Sequence, residues 1–419
     1  MGQTLAQKIL AAHCGRDQVR PGEIVEAGLD MVMANDVSGH LVLGLFRQAG
    51  GEKVFDPGRV ALVADHFTPN KDIASAELVR TLHEFADRQG LTHRFGPGRS
   101  GVAHALMAES GLALPGELVV AADSRATTYG ALGALATGVG ATDVAAALIT
   151  GQAWFKVPAS LKVTLTGESG PWLCAKDLAL ELNRRLGPEG AHYQAIEFHG
   201  PLAAALSVEA RQTMASMVVE TGAKAGLFPA DAVTAAYLEG RAQRPWRALA
   251  PDPDADYAAR LTIDAGELPP LVARPHSPHE VVPARRAGYE PVDVVFIGSC
   301  TNGRIEDLRQ AAKVLAGRKV HAGVRLMVIP ATPAVYAQAL GEGLLSTFLA
   351  AGGVVGPPSC GPCSGGHLGV LASGEVAVAT TNRNFIGRMG HHQSRVYLAG
   401  PAVAAASAVA GRVCDPEEV

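Results

Sequence analysis

Short apolar runs, each closed by polar residues and followed by a new secondary-structure signal, recur along this chain and restrict what it can fold into. Arg59 to Ala64 ends in Asp65-His66 and is followed by a helical run from Ile73 to Ala86. Glu117 to Ala122 ends in Asp123, and the β-branched run Val292 to Ile297 leads to Cys300. Beyond the Asn302-Gly303 turn, Ile305, Leu308, Ala312 and Leu315 stand at helical spacing. Repeated strand-loop-helix units predict an α/β fold of doubly wound parallel sheets. Open sheets of this kind bind ligands beyond the carboxyl ends of their strands, so Asp65, His66, Asp123 and Cys300 stand where chemistry is expected.

With 419 residues the chain can bury large cores in two or three domains. The small-residue stretch Gly130 to Gly140 lets backbones approach closely, and the Pro-rich stretch Gln243 to Pro291 reads as an irregular linker. A formal net charge of -4, with no dense basic run among aromatics, argues against nucleic acid as a partner. Residues 1 to 20 mix polar and apolar side chains, so no signal peptide is expected; apolar stretches such as Ala402 to Ala410 are too short to span a bilayer. Six cysteines in a chain this long do not make a disulfide scaffold, and a reducing cytoplasm is the expected compartment.

Three of those cysteines carry a metal signal. Cys300 follows a strand, and Cys360-Gly361-Pro362-Cys363 is a Cys-x-x-Cys pair. Spacing alone leaves two metals level: a 4Fe-4S cluster held by three thiolates with one iron left open, or a zinc ion with His367 completing a Cys3His set. The strand, ligand loop and helix around Cys300 favour the cluster. Arg383 and Arg388 straddle a glycine five residues apart, and arginine grips carboxylates through its planar fork. Each of these has a plainer reading. Asp65 could cap a helix beside a surface His66, the arginines could balance surface charge, and Glu220 could lie solvated on an amphipathic helix spanning Met214 to Ala225. Cys14, Cys174 and Cys414 lack ligand-like spacing and read as buried or incidental thiols.

Three motifs in fixed order resemble the large subunit of the aconitase superfamily: Gly298-Ser299-Cys300-Thr301-Asn302-Gly303-Arg304, the loop Cys360 to Gly366, and Asn382-Arg383-Asn384-Phe385-Ile386-Gly387-Arg388. The likeness runs from Gly2-Gln3-Thr4-Leu5 to Ala404-Val409, and it is greatest to the branch of 3-isopropylmalate dehydratases and homoaconitases. It implies three α/β/α domains around a central cluster cleft, with residues 1–160, 161–285 (ending in the Pro-rich linker) and 286–419, and no swivel domain. It implies a 4Fe-4S cluster on Cys300, Cys360 and Cys363, and an anti elimination and re-addition of water on a hydroxy di- or tricarboxylic acid. By the same resemblance Asp65, His66, His104, Asp123 and Glu220 are catalytic, while Asn382, Arg383 and Arg388 bind substrate. The serine base of the family belongs to a swivel domain, so a separate small subunit is expected to supply it.

The departures bear on the substrate. Where the family usually reads Asp-Ser-His-Thr, this chain reads Asp123-Ser124-Arg125-Ala126. Arginine cannot exchange a proton near neutrality as histidine can, but it can hold a carboxylate, so Arg125 joins the substrate-binding candidates. Ser38-Gly39-His40 also departs from the usual segment after Asn35-Asp36. These changes keep open a homoaconitase, a methylmalate- or dimethylmalate-type dehydratase, or a specialised isomerase. A reading of another class, a catalytically inactive apo RNA-binding or sensor protein, fits poorly with the net charge and with the retained acid-base residues.

Overall fold

The computed structural model describes residues 2–419. Three sheets form the frame. Their central strands, such as Met31–Asn35, Val60–Val63, Leu118–Ala121, Val294–Ile297 and Val376–Ala379, are buried on both faces, as expected where helices cover the sheet, while edge strands such as Ala259–Asp264 are partly exposed. The first sheet is parallel throughout, in the order His93–Phe95, Val60–Val63, Met31–Asn35, Leu118–Ala121, Leu135–Gly138. The second is a parallel set of four: Ala225–Leu227, Ala195–His199, Ser160–Thr166 and Ala259–Asp264. The third has seven strands. Arg395–Ala399, Val376–Ala379, Val294–Ile297, Arg325–Val328 and Val354–Val355 run parallel, while Leu271–Ala273 and Val281–Pro283 add an antiparallel edge beyond Arg395–Ala399. A separate antiparallel ribbon pairs Ile24–Gly28 with Gln152–Lys156.

The stretch from Gln243 to Pro291, read as irregular linker, therefore contains the edge strand of one sheet and two strands of another. The passage from second to third sheet falls between Asp264 and Leu271. Leu271–Ala273 is three residues long and follows two prolines, too short for any periodicity to show. Its partner, Arg395–Ala399, lies more than a hundred positions away, and only folding brings the two together.

Helices start where side chains can satisfy their free N–H groups. Thr4 accepts from Gln7 N while the Gln7 side chain accepts from Thr4 N, a capping box that starts helix Leu5–His13. Asp72 and Ser75 do the same for Ile73–Gln89, which ends on the left-handed Gly90. The Gly/Ala stretch works as its composition suggested. A side chain on Gly130 would place its Cβ 1.8 Å from the Gly226 carbonyl oxygen, so the segment Ser124–Leu132 lies directly against a strand of the second sheet.

Candidate active site

In the first sheet the chain works outward from Met31–Asn35 to one edge, then resumes on its other side with Leu118–Ala121. The loops leaving these neighbouring strands diverge and open a crevice, the usual ligand position in such a sheet. Asn35 Nδ2 donates to Asp123 Oδ2 across it at 3.0 Å. The third sheet reverses in the same way between Val294–Ile297 and Val376–Ala379. Its two loops carry Cys300 and Asn382, and Asn382 Nδ2 lies 2.9 Å from Cys300 Sγ.

The two crevices face each other. Cys360 N donates to the Asp65 carbonyl at 2.8 Å, and Val102 N donates to the Ala331 carbonyl at 2.7 Å. These backbone bonds join loops of the first and third sheets. Gly101 is required at this seam, because a Cβ there would stand 2.5 Å from the Ala331 oxygen.

Asp65 is buried at the end of Val60–Val63, and one of its oxygens accepts from His66 Nδ1 at 2.6 Å. The other accepts from Ala103 N at 2.8 Å, in the first turn of helix Ala103–Glu109, where free N–H groups favour an anion. Asp36 lies beneath, accepting from Phe67 N at 2.8 Å and His66 N at 3.1 Å. Burial alone would lower the His66 pKa. The charge of Asp65 and the bonds to Asp36 and Asp65 outweigh it, holding the imidazole well above its ordinary value. With Nδ1 bound to carboxylate, Nε2 is the nitrogen left for a ligand.

His104 forms a second imidazole-carboxylate pair. Its Nδ1 is 3.1 Å from the Tyr129 hydroxyl, and its Nε2 is 3.4 Å from Asp123 Oδ1. Burial works against the charged form of Asp123, but His104, His66 and the Arg125 N–H hold its carboxyl well below the usual range. Burial, reinforced by Asp123, Asp65 and Cys300, keeps the Tyr129 phenol protonated far above its normal pKa.

Cys300 sits in a single turn, Ser299–Asn302, entered through Ser299 at φ +76°. A non-glycine residue in this left-handed region costs on the order of 1–3 kcal/mol and persists only where its surroundings hold it. Arg304 does so, donating to the Cys300 carbonyl at 2.6 Å and the Thr301 carbonyl at 2.7 Å. Cys300, Cys360 and Cys363 are all buried and free, and apolar Val102, Ala105 and Ala331 pack on the first two. Burial pushes the Cys300 and Cys360 thiols up, so thiolates here need a cationic centre.

The sulfur spacing bears on which centre fits. A zinc ion with Zn–S bonds of about 2.3 Å draws its sulfurs to within roughly 4 Å of one another. Among the described residues, only Asp65, His66 and Cys360 bring three ligand atoms within 4.8 Å, so the three cysteine sulfurs are spread wider than a single ion requires. His367 Nε2 lies 2.5 Å from the Pro69 carbonyl, and its other ring nitrogen does not join the cysteine sulfurs in a group within 4.8 Å. Three buried sulfurs that do not all lie within 4.8 Å of one another suit a multinuclear cluster better than a single ion.

Glu220 is buried rather than solvated. Its Oε1 accepts from Arg125 Nη2 and from Arg383 Nε, the latter at 2.8 Å. Arg388 has a buried Nε with no protein partner. The structure thus brings Asp65, His66, His104, Asp123, Glu220, Arg125, Asn382, Arg383 and the three cysteines into one contact network. Sequence reading passed over Asp36, Ser216 and Lys176. Asp36 follows a strand end and obeys the rule that singled out Asp65. Ser216, with Oγ 3.9 Å from Cys300 Sγ, and Lys176 lie in helices whose sequences carry no mark of their partners.

Parallel sheets whose reversal points meet over three cysteines define an aconitase-type architecture. A match to the aconitase family (aconitate hydratase) covers residues 7–291 and 285–411, and this chain belongs to that family. It is 54% identical over 419 residues to the 3-isopropylmalate dehydratase large subunit of Moorella thermoacetica, with both chains covered in full. The 3-isopropylmalate dehydratase large subunit 1 of Pyrococcus furiosus is 53% identical over 420 residues, covering 100% of this chain and 99% of the relative. In structure the chain resembles aconitase X of Thermococcus kodakaraensis, with a TM-score of 0.50 at 15% identity, over 90% of this chain and 88% of that one. Family membership implies a 4Fe-4S cluster. No described helix is long and apolar enough to cross a membrane.

Proposed function

We propose that this chain is the large subunit of a 3-isopropylmalate dehydratase, a hydro-lyase that removes water from a hydroxy dicarboxylic acid and returns it. The facing of the Asp65–His66 pair and the three cysteines across the seam at Cys360 carries this reading, together with the full-length relatives. Cys300, Cys360 and Cys363 would hold a 4Fe-4S cluster, which when bound supplies a Lewis acid to polarise the substrate C–O bond. His66, kept cationic by Asp65 and Asp36, gives a proton from Nε2 to the departing hydroxyl. His104, braced by Tyr129 and Asp123, is a second acid-base candidate in the same cleft. Arg383 and Arg388 take the substrate carboxylates, and Asn382 orients the Cys300 sulfur.

A small swivel-domain subunit would close the cleft and supply the serine base that removes the carbon-bound proton. Three α/β units would surround the cleft, the first ending near residue 160 and the second between Asp264 and Leu271. The test is anaerobic reconstitution with iron and sulfide, alone and with the co-expressed small subunit, monitoring the ultraviolet absorbance of the unsaturated diacid. Turnover of 2-isopropylmaleate only in the two-subunit sample is expected. Full turnover by the isolated chain would remove the two-subunit reading, and a preference for a homologous or methyl-substituted diacid would reassign the substrate.

A further inference from the structure

Arg125 stands where the family pattern has histidine, and its surroundings show what the change does. The residue is 4% exposed, and a buried guanidinium needs local partners. Its Nη1 donates to the Ser216 carbonyl at 2.6 Å, and its Nη2 donates to Glu220 Oε1. Both terminal nitrogens are therefore engaged by protein. Arg383 is the opposite case: it gives only Nε to Glu220 Oε1, at 2.8 Å, and its two terminal nitrogens make no hydrogen bond to any described residue.

An isolated Glu-Arg pair favours a bidentate arrangement, with both carboxylate oxygens on the guanidinium fork. Such closure would fill the part of Arg383 that a substrate carboxylate needs. Arg125 shares the same oxygen and is anchored on the Ser216 carbonyl, so Glu220 stays at the Nε edge of Arg383. Two arginines around one glutamate also leave a net positive charge beside Arg388. A neutral imidazole at position 125 would supply neither the anchor nor the permanent charge.

We propose that Arg125 is a positioning residue that, through Glu220, holds the fork of Arg383 open for a substrate carboxylate and so favours doubly charged substrates. This rests on the dehydratase reading above. The test compares Arg125→Met and Arg125→Lys in the two-subunit holoenzyme, each with Arg383 intact and with Arg383→Lys. Calorimetry of 3-isopropylmalate binding to the cluster-free chain is run beside the kinetics. Arg125→Met is expected to raise KM about tenfold while kcat stays within about threefold, and to weaken calorimetric binding similarly. Arg125→Lys, which keeps the charge, should lose less. With Arg383→Lys there is no fork to keep open, so the added effect of either Arg125 change should fall below about twofold.

Equal effects in both Arg383 backgrounds, or a fall in kcat at unchanged KM, would overturn the proposal. Should Arg125→Met fail to fold, the same comparison with Arg125→Lys decides. If the wild-type holoenzyme dehydrates no hydroxy diacid, the functional reading fails. If it does and the Arg125 variants behave as wild type, only this inference falls.

Discussion

Lys176 shows how much a single buried residue can hold. It lies in the first turn of helix Ala175–Leu186 with no solvent exposure. Its ammonium donates to the carbonyls of Thr380 at 2.9 Å and Thr381 at 2.5 Å, with Asn302 Oδ1 at 3.3 Å. One charge thus links the loop of Cys300 to the loop of Asn382. Burial draws its pKa down to about 8. Lys176→Met should strip two buried carbonyls of a donor and cost about 2–3 kcal/mol, read as a lower urea midpoint. A midpoint equal to wild type would mean the loops hold each other without it. None of this is visible in one dimension, since a lysine in a helix is ordinarily solvated. Asp65, His66 and Cys300 were legible because strand ends in an α/β chain are already marked positions.

At the scale of elements, an ion pair adds to the apolar packing that ties the N-terminal helix Leu5–His13 to the first sheet. His13 Nε2 is 2.6 Å from Asp30 Oδ2, and its Nδ1 is 2.7 Å from the Ile9 carbonyl. Burial opposes charge on both groups. The mutual hydrogen bond nonetheless raises His13 above 6.5 and lowers Asp30 below 3.8. A raised histidine pKa gives stability that is complete below the unfolded value and lost as pH rises through the folded one. A lowered carboxyl pKa gives stability complete above its unfolded value and lost as pH falls through the folded one. The tie should therefore be strongest between about pH 4 and 6.5. His13→Gln should flatten the decline in melting temperature on the alkaline side of that window; an unchanged pH profile would remove the pair from the stability account.

The strands Val60–Val63, Leu118–Ala121 and Val294–Ile297 and the helices Ile73–Gln89 and Ile305–Leu315 could be read from local apolar pattern, because spacing decides which face of an element is apolar. The antiparallel edge, Leu271–Ala273 and Val281–Pro283, could not. Strands of three residues have no periodicity, and their pairing with Arg395–Ala399 depends on chain far away in sequence.

At the scale of the molecule, the site exists only because separate sheets meet. Gly130 packs on Gly226, Gly101 on Ala331, and Cys360 bonds back to Asp65. Gly130→Ala would drive a methyl group into backbone that has no rotamer with which to yield. Overpacking of this kind costs about 1–3 kcal/mol, occasionally more. We expect a lower melting temperature together with a loss of turnover, since the displaced segment Ser124–Leu132 carries Arg125 and Tyr129. Gly317→Ala is the control: its φ of +73° is strained but nothing lies within 4 Å, so stability should fall slightly with turnover intact. Equal loss of turnover in the two variants would show that backbone conformation, rather than the inter-sheet contact, matters.

The sequence alone determined the α/β class, the strand-end positions of the acid-base residues and the candidate cysteines. These depend on local alternation of polar and apolar residues and on motif order, both of which are one-dimensional. Tertiary structure decided that the sulfurs do not converge on a single ion, that the Pro-rich stretch supplies strands to two sheets, and that Glu220 is shared by Arg125 and Arg383. Those features rest on contacts between residues tens to hundreds of positions apart, where burial removes water and leaves each charge to the partner that the fold supplies.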